Sequence, residues 1–349
     1  MLKKIIKKTF LYKPLKAILK KLRKLKKNII LKKEEAKKLK EEKRRLREEK
    51  KEQQKRLKEE YLANLFTYEK AERIINERYS KKHDSQVVDF SNPLTYTEKL
   101  NYSKLYNPTK KKSLLTDKIT VRDWIKKKIG EEYLVPIIAI YDSFENIDFK
   151  RLPKEYIIKC SHDSGSTNII DKNHKLDKQE LSKKFDYYLN RNLASYNYEM
   201  HYRDIKPHII IEENLGANVE EYKFLCFNGK LYYIWQDFDN HTTRNVYDSN
   251  FNLLDIELTY PKNKERLKKP TKFEEMKKIV KKLSKGFDQV RVDLYDVDGK
   301  IYFNEMTFTS GNGMSSFKPS EIDLEIGKLW KLNTKKRKKL LHKELILEK

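Results

Sequence analysis

Residues 289–308, with the sequence QVRVDLYDVDGKIYFNEMTF, alternate apolar and polar side chains on either side of a turn at 297–299. This alternation predicts two antiparallel strands, each with one apolar and one polar face. The polar faces carry charged residues in both strands, so the segment is a candidate both for a sheet and for a functional site. The rest of the chain can be interpreted outward from this hairpin.

The length of the turn decides which polar residues meet. A three-residue turn that ends in Gly299 places Arg291 and Asp293 on the same face as Glu305 and Thr307. Two carboxylates and a hydroxyl on one face supply the hard oxygen ligands that Mg²⁺ prefers, and Arg291 would neutralise charge on a transferring phosphoryl group.

Two alternatives compete with this interpretation. A two-residue turn shifts the parity of the second strand, which then presents Asn304 and Met306 instead. The simplest alternative to a functional site is a half-exposed hairpin with a cross-strand ion pair between Arg291 and Glu305.

A lysine at the end of a strand is the second candidate feature. Lys159 closes an apolar strand and precedes the small polar loop 161–167, which we expect to form a mobile hairpin tip, and Lys118 lies near the start of a helix. A cation beside a mobile loop suits a polyphosphate that is covered after binding. The glycines at 311–313 match neither a P-loop nor a dinucleotide fingerprint, so those nucleotide folds are excluded.

The residues from 67 onward predict mixed helices and strands. A hairpin with its turn at Asn228-Gly229 is the strongest local signal. Helices are predicted at 67–82, 117–130, 176–191 and 273–287, and further strands at 135–141, 155–159 and 208–212.

Composition separates the first residues from the rest. The chain has a net charge of +27, and residues 1–33 contain 14 Lys or Arg and no acid. Two cysteines exclude a disulfide scaffold and fit a reducing compartment, and no apolar run approaches the length of a bilayer span. We expect a cytoplasmic protein.

The basic segment 1–33 has an apolar stripe at helical spacing, formed by Leu15, Ile18, Leu19, Leu22, Leu25 and Ile29. Three interpretations compete: an anchor at an anionic membrane surface, an arm that contacts nucleic acid, and a lysine-rich extension without a function. The stripe favours the membrane, and the scarcity of Arg and aromatic residues makes nucleic acid unlikely. Residues 34–60 alternate acids and bases and predict a solvated helix or weak coiled coil.

Seven motifs in one order resemble the ATP-grasp proteins of the TupA-like, teichuronopeptide-biosynthesis type. The resemblance covers about residues 86–332 and leaves the arm outside. The motifs are NPLTYTEKL at 92–100, TDK at 116–118, IGEEYLVP at 129–136, IIKCSH at 157–162, EYKFLCFNGK at 221–230, RVDLY at 291–295 and YFNEMTF at 302–308.

The resemblance implies an α+β ATP-grasp fold in which two subdomains clasp ATP and Mg²⁺. It assigns phosphate contacts to Lys118 and Lys159, and the closing loop to 161–167. It also implies roles near adenine and ribose for Glu212 and Glu213. The loop residues that it implies in ATP binding are Ser161, His162, Ser164, Gly165 and Ser166.

For the hairpin, the resemblance implies that Arg291 stabilises the transferring group and that Asp293 and Glu305 hold Mg²⁺. Lys223 would point into the cleft. Thr307 stands where broader ATP-grasp enzymes carry Asn, so the third metal ligand stays open between Thr307 and Asn304.

Three other features carry less weight. His162 and His174 lack a second ligand at metal-binding spacing, which favours a polar loop role. Cys160 is interpreted as a strand cysteine rather than a nucleophile. Residues 236–247 are interpreted as an acceptor loop in which Asp237, Asp239, His241 or Arg244 binds substrate.

Together these observations predict an ATP- and Mg²⁺-dependent carboxylate–amine ligase that forms an acyl phosphate and acts on a saccharide or polysaccharide precursor of the bacterial surface, such as a capsule. The alternatives are a glycosyltransferase or polysaccharide-modifying protein of the same pathway, and a non-catalytic ATP-binding protein. The predicted organisation is a basic helix at 1–33, a charged helical linker at 34–85, an ATP-grasp domain at 86–332 and a basic tail at 333–349. The arm predicts peripheral attachment at the inner face of the membrane.

Overall fold

The structure is a computed structural model that describes residues 12–64, 66–173, 177–238, 241–263 and 269–347. His174 and Asp239 therefore lie outside the described residues, as do residues 1–11 of the basic arm. The chain divides between residues 65 and 66 into two units.

The first unit is one long helix, α1 (Tyr12–Asn64). Its side chains are exposed wherever they are described, including the apolar stripe from Leu15 to Ile29. Acid–base pairs one turn apart line the second half, with Arg44 Nε 3.5 Å from Glu48 Oε1 and Arg45 Nε 3.3 Å from Glu49 Oε1. Pairs of this kind add a few tenths of a kcal/mol each to an isolated helix. Among the described residues, no helix combines the length and the apolar character needed to cross a bilayer.

The second unit contains helices and antiparallel strands in mixed order. Its helices are α2 (Tyr68–Ser80), α3 (Tyr96–Tyr106), α4 (Lys110–Thr116), α5 (Val121–Lys128), α6 (Lys178–Leu189), α7 (Leu193–Asn197), α8 (Phe273–Ser284), α9 (Glu321–Lys328) and α10 (Arg337–Leu340). Its strands are β1 (Ile137–Tyr141), β2 (Tyr156–Cys160), β3 (Asn168–Ile170), β4 (Ile209–Glu213), β5 (Val219–Phe227), β6 (Lys230–Phe238), β7 (Thr243–Asp248), β8 (Glu257–Leu258), β9 (Gln289–Val297), β10 (Lys300–Thr307) and β11 (Phe317–Lys318).

The larger sheet has the order β10-β9-β5-β6-β7, with every neighbouring pair antiparallel. One face packs on α8, whose Met276, Ile279 and Val280 join Val290 and Val292 of β9 in a single core. Because side chains alternate along a strand, burial of Val290 and Val292 directs Arg291 and Asp293 to the opposite face.

That opposite face is covered only in part. Leu225, Phe227 and Trp235 pack there against Tyr96 of α3 and Trp330. The polar residues of β5 and β9 occupy the rest of the face, so the packing itself leaves a polar region on this sheet.

The smaller sheet has the order β1-β4-β2-β3, again antiparallel throughout. Its apolar face packs on Leu181 and Phe185 of α6. Strands β2 and β3 form the hairpin that the sequence predicted around residues 161–167, with Tyr156 opposite Ile170. The third sheet is the short pair β8–β11.

The turn between β9 and β10 differs from the prediction. It has two residues, because Val297 pairs with Lys300, and Asp298 and Gly299 both have positive φ, as a type I′ hairpin requires. A bulge between Phe303 and Glu305 then adds one residue to β10. The two-residue turn alone would place Asn304 and Met306 on the face of Arg291 and Asp293. The bulge shifts β10 by one residue, so Glu305 and Thr307 lie on that face instead.

As a result Glu305 lies opposite Asp293 and Thr307 opposite Arg291. The predicted set of four residues on one face is therefore present, although the predicted turn length was wrong. The predicted hairpin at Asn228-Gly229 is confirmed, and both of its turn residues have positive φ.

Residues 66–85 and 333–347 belong to the globular unit rather than to a linker and a tail. In α2, Ala71, Ile75 and Tyr79 recur at the spacing of one helix face, and they are buried in the same cluster as Leu345. The Arg337 guanidinium of α10 donates to Glu72 at 2.6 and 2.8 Å. The compact unit thus begins at residue 66, and residues 66–85 pack within it.

Candidate functional site

Arg291 is the centre of the polar region on the larger sheet. Its guanidinium donates to both carboxylate oxygens of Asp293, at 2.7 and 2.5 Å, and to Glu305 Oε1 at 2.8 Å. Thr307 Oγ1 donates to the same Glu305 oxygen at 2.7 Å. The four side chains that the sequence placed on one face therefore form one hydrogen-bonded cluster.

The two carboxylates of this cluster have different electrostatic environments. Burial, together with the neighbouring Glu305, raises the pKa of Asp293 to about 8 against the opposing effect of Arg291. Burial also acts to raise the pKa of Glu305, but Arg291 and Lys118 outweigh it and lower the pKa to about 2. The cluster thus favours the ionised form of Glu305 and the protonated, neutral form of Asp293.

This cluster fits a divalent cation by its donor set. Asp293 Oδ2 and Glu305 Oε1 both accept from the same Arg291 nitrogen, at 2.5 and 2.8 Å, so the two oxygens are close neighbours. Carboxylate oxygens are the ligands that Mg²⁺ prefers, and the ion usually takes one or two of them together with substrate phosphates. Within the described ranges, no three His, Cys, Asp or Glu side chains are grouped as a metal centre.

Lys223 forms a second cluster on the same face, directly opposite Asp293 in the sheet. Its Nζ lies 2.9 Å from Glu221 Oε2 and also donates to Asp237. Asp237 in turn accepts from Arg244 and from His241, the latter at 2.9 Å. Burial lowers the pKa of Lys223, but Glu221 and the other nearby carboxylates more than offset this, so the net shift is upward and the amine stays protonated.

The predicted acceptor loop 236–247 is therefore mostly strand. Asp237 belongs to β6 and Arg244 to β7, and the two face each other across the sheet. Asp237 and Arg244 are therefore not part of a solvated loop. Asp237 pairs with Lys223 of β5 and with Arg244 of β7.

Lys159 and Glu212 are the part of the site that the smaller sheet contributes. Lys159 Nζ lies 2.6 Å from Glu212 Oε2, and Arg122 lies 3.9 Å from the other oxygen of Glu212. Glu213 follows on the opposite face of β4 and its side chain is exposed. The structure thus brings Glu212 to the site and leaves Glu213 outside it.

The loop 161–167 is fixed at its base and exposed at its tip. Lys118 Nζ donates to the backbone oxygen of Asp163 at 2.5 Å, and Ser166 Oγ donates to Asp163 Oδ1 at 2.7 Å. Ser161, His162 and Ser166 are buried, whereas Ser164 and Gly165 are exposed. The free part of the loop is therefore shorter than the predicted mobile tip.

A cleft lies between the two sheets. Lys118, Lys159 and Glu212 line it on one side, and Tyr295 and Asn304 line it on the other. The cation-rich wall and the hairpin with the carboxylates therefore face the same space.

Sequence reasoning misplaced two members of this site and missed a third. Asp237 and Arg244 were predicted in a substrate-binding loop instead of the sheet, and Arg122 was not predicted. Asn304 was predicted as an alternative third metal ligand, and the structure shows its amide donating to Glu221 Oε1 at 2.6 Å. Alternation along 235–237 was the available signal for Asp237, since it places this residue on the face of Trp235, which pairs with Lys223.

Comparison with known proteins gives the family. The sequence profile of the TupA-like ATP-grasp family matches residues 98–331. The chain belongs to the TupA-like ATP-grasp family, and the architecture of its globular unit is the ATP-grasp fold. No curated protein sequence matches this chain.

Several solved structures are similar at low identity. D-Alanine–D-alanine ligase from Helicobacter pylori is 17% identical with a TM-score of 0.35, over 67% of this chain and 62% of that one. L-amino acid ligase from Bacillus licheniformis is 15% identical with a TM-score of 0.37, over 72% and 56%. D-Alanine–D-alanine ligase from Bacillus anthracis complexed with ATP is 18% identical with a TM-score of 0.33, over 56% and 54%. The matched regions span about three fifths of the D-alanine–D-alanine ligases or less.

Proposed function

We propose that this protein is an ATP- and Mg²⁺-dependent carboxylate–amine ligase. The observation that carries the proposal is the cluster of Arg291, Asp293 and Glu305 on the β9–β10 hairpin. The same hairpin lines the cleft of Lys118 and Lys159 through Tyr295 and Asn304, and Lys118 acts electrostatically on Glu305. A ligase of this kind must hold polyphosphate, bind a metal and stabilise charge on the transferring phosphoryl group, and these residues supply groups suited to each task.

In this proposal the lysines and the hairpin act on different charges. Lys118 and Lys159 pair with phosphates that are already charged in the ground state, and the exposed tip of loop 161–167 covers them. Asp293 and Glu305, with Thr307 or Asn304 as the third candidate ligand, hold Mg²⁺, which neutralises phosphate charge when bound. Arg291 stabilises negative charge on the transferring group, and Lys223 orients a negatively charged substrate group.

The proposed reaction has two steps, phosphoryl transfer to the carboxylate and attack by the amine. An oxygen of the substrate carboxylate attacks the γ-phosphorus of ATP, the bond to ADP breaks, and an acyl phosphate forms. The amine attacks the acyl carbon, phosphate leaves, and the amine gives up a proton to form the amide. Excluding water from the cleft protects the acyl phosphate from hydrolysis between the two steps.

We further infer a role in bacterial surface polysaccharide synthesis, with the protein attached peripherally at the cytoplasmic face of the membrane. Family membership supports the setting, and the exposed apolar stripe of α1 beside 14 basic residues supports the attachment. A precursor built on a lipid carrier would then be within reach of a protein held at the same surface.

ADP release is the experiment that separates the candidates. The purified full chain is incubated with ATP, Mg²⁺ and mixtures of uronic-acid saccharides and amino acids, and ADP is measured. A ligase releases ADP only when both a carboxylate and an amine are present. Consumption of a sugar nucleotide would identify a glycosyltransferase, and ATP binding without turnover on any pair would favour the non-catalytic alternative.

A further inference from the structure

Two exposed tyrosines lie beside the loop that we propose covers ATP. Among the large apolar side chains that are exposed in the described residues, Tyr187 and Tyr196 are the two aromatic ones, at 56% and 53% exposure. Both flank Arg191, whose guanidinium carbon lies 4.0 Å from the ring centre of Tyr196 and 5.7 Å from that of Tyr187. Exposed aromatic rings grouped in this way are typical of a binding surface.

A second arginine extends the group. Arg78 is on α2, and its guanidinium carbon lies 5.9 Å from the ring centre of Tyr196. Arg78 also donates to the Tyr196 backbone oxygen at 2.6 Å. We name the four residues Tyr187, Arg191, Tyr196 and Arg78 the tyrosine–arginine surface. Its aromatic rings and guanidinium groups alternate.

The guanidinium of Arg191 is available to a ligand. It forms no ion pair within 4.0 Å with a carboxylate of the described residues, and the residue is only partly buried. Because its Nε is buried, a ligand carboxylate would pair with the terminal nitrogens, which supply charge-assisted hydrogen bonds.

An adjoining cleft of about 490 Å³ adds further cations. It is lined by Arg191, His162, Arg203 and Lys206, among others. Arg203 is held by Asp204 at 3.1 Å, and Lys206 lies 3.3 Å from Asp142. Arg191 is therefore the arginine of this cleft that has no carboxylate partner among the described residues.

His162 links this region to the proposed ATP loop. Its Nε2 lies 3.1 Å from the Tyr188 carbonyl oxygen and 3.3 Å from that of Arg191, so this nitrogen carries the proton and donates. Tyr188 also packs on Gly165, where an added Cβ would lie 3.1 Å from the tyrosine hydroxyl. A ligand bound at Tyr187 and Arg191 would therefore be adjacent to the loop residues 162–165.

We propose that the tyrosine–arginine surface and its cleft bind an acidic saccharide chain, the acceptor of the ligase reaction. Sugar rings present flat C–H faces that pack on exposed aromatic rings, and the carboxylates of uronic acids pair with arginine in a planar, bidentate geometry. The role of this saccharide as the acceptor rests on the proposed function. Its binding to the surface does not require ATP.

Calorimetric titration tests this surface directly on the full chain at physiological salt. Hexagalacturonate is the acidic probe, maltohexaose is the neutral probe, and an oligothymidylate of equal charge is the nucleic-acid probe. We expect hexagalacturonate to bind at least about tenfold more tightly than either other probe, because only it supplies both sugar faces and carboxylates.

Matched variants separate this surface from the general positive charge of the chain. Arg191→Ala and Arg151→Ala each remove one charge, but Arg151 is an exposed residue paired with Asp148 on another loop. Arg191→Ala should weaken hexagalacturonate binding about tenfold or more, Arg191→Lys should weaken it less, and Arg151→Ala should leave it within about twofold. Tyr196→Ala should weaken it about fivefold.

Two results would overturn the proposal: equal effects of Arg191→Ala and Arg151→Ala, or equal affinity for hexagalacturonate and oligothymidylate. Thermal unfolding of each variant shows whether the fold is kept. ATP binding is titrated in parallel. A chain that binds ATP but no hexagalacturonate would remove the saccharide surface and keep the ligase, and the reverse result would remove the ligase and keep the surface.

Discussion

Helix α1 and the β9–β10 hairpin are both rich in charge, yet they use it in opposite ways. In α1 the arginines are exposed, and pairs such as Arg44–Glu48 lie in solvent. In the hairpin, Arg291 has 12% of its side chain exposed and Asp293 has none, and both are hydrogen-bonded in one cluster. The same residue types therefore form a solvated surface in one unit and a buried polar site in the other.

The difference shows that charge density in a sequence does not by itself distinguish a solvated surface from a buried polar site. Burial of the charged side chains makes that distinction. A solvated pair contributes a fraction of a kcal/mol, because water competes for both partners. Burying a charged pair costs hydration free energy that the attraction between its partners must offset. Buried charged groups therefore occur preferentially at functional sites. We therefore expect the helix charges to act on an external surface, and the hairpin charges to act on a ligand inside the cleft.

Deleting residues 1–33 should give the largest effect. If about half of the 14 basic residues face an anionic leaflet at about 1 kcal/mol each, the electrostatic contribution is about 7 kcal/mol, and the apolar stripe adds to it. The truncated protein should no longer sediment with phosphatidylglycerol liposomes, while its ATP binding stays intact.

A charge-matched control sharpens this test. Leu22→Ser with Leu25→Ser keeps every charge and removes part of the stripe, so sedimentation should weaken without being lost. Equal sedimentation of the full-length and truncated proteins would end the idea of a membrane anchor.

Removing Arg291 should strongly destabilise the globular unit. Arg291→Ala leaves the buried Asp293 and the half-buried Glu305 without their cation, and breaking a buried pair typically costs about 3–5 kcal/mol. Urea unfolding followed by tryptophan fluorescence measures this loss.

Arg44→Ala is the matched control in α1, and it should leave the unfolding of the globular unit unchanged. The chain has three tryptophans, Trp124, Trp235 and Trp330, and all three lie in the globular unit, so their fluorescence reports on that unit alone. A loss below about 1 kcal/mol for Arg291→Ala would show that the hairpin cluster is not a coupled buried pair.

The raised pKa of Asp293 predicts a smaller effect that depends on pH. Because the folded pKa of about 8 lies above the ordinary value, the stability associated with this carboxyl is present at low pH and is lost as pH rises towards 8. We expect the metal-free protein to lose about 1 kcal/mol per pH unit from this group between pH 5 and pH 8. Asp293→Asn should remove that dependence.

Asp298→Asn, at the exposed turn of the same hairpin, is the control for that series. It should keep the wild-type dependence, because the Asp298 side chain is exposed. Adding Mg²⁺ to the wild type should reduce the loss at pH 8. Identical pH profiles for the wild type and Asp293→Asn would remove the assigned role of burial at this carboxyl.

Local patterns predicted most of the elements. The hairpin at Asn228-Gly229 follows from two adjacent residues that tolerate positive φ, and α2 follows from the Thr67 cap and its apolar spacing. The strands at 155–159 and 208–212 also lie within about one residue of β2 and β4.

Non-local pairing explains what the sequence did not reveal. The bulge that sets the parity of Glu305 lies beside Asn304, which bonds to Glu221 on a strand more than 80 residues away. Asp237 belongs to the site because Lys223 lies across the sheet. The docking of Leu345 against the start of the globular unit is likewise invisible in any local window, because its partners lie at the other end of the domain.

Mg²⁺ activation of ADP release tests the central claim most directly, in Asp293→Asn and Glu305→Gln beside the wild type, with Lys159→Ala as the control. If Asp293 and Glu305 hold the metal, each variant should raise the Mg²⁺ concentration for half-maximal turnover about tenfold and should partly recover at high Mg²⁺. Lys159→Ala should raise the ATP requirement instead. Wild-type Mg²⁺ dependence in both carboxylate variants would contradict the metal assignment and leave the hairpin as an ion-paired pair of strands.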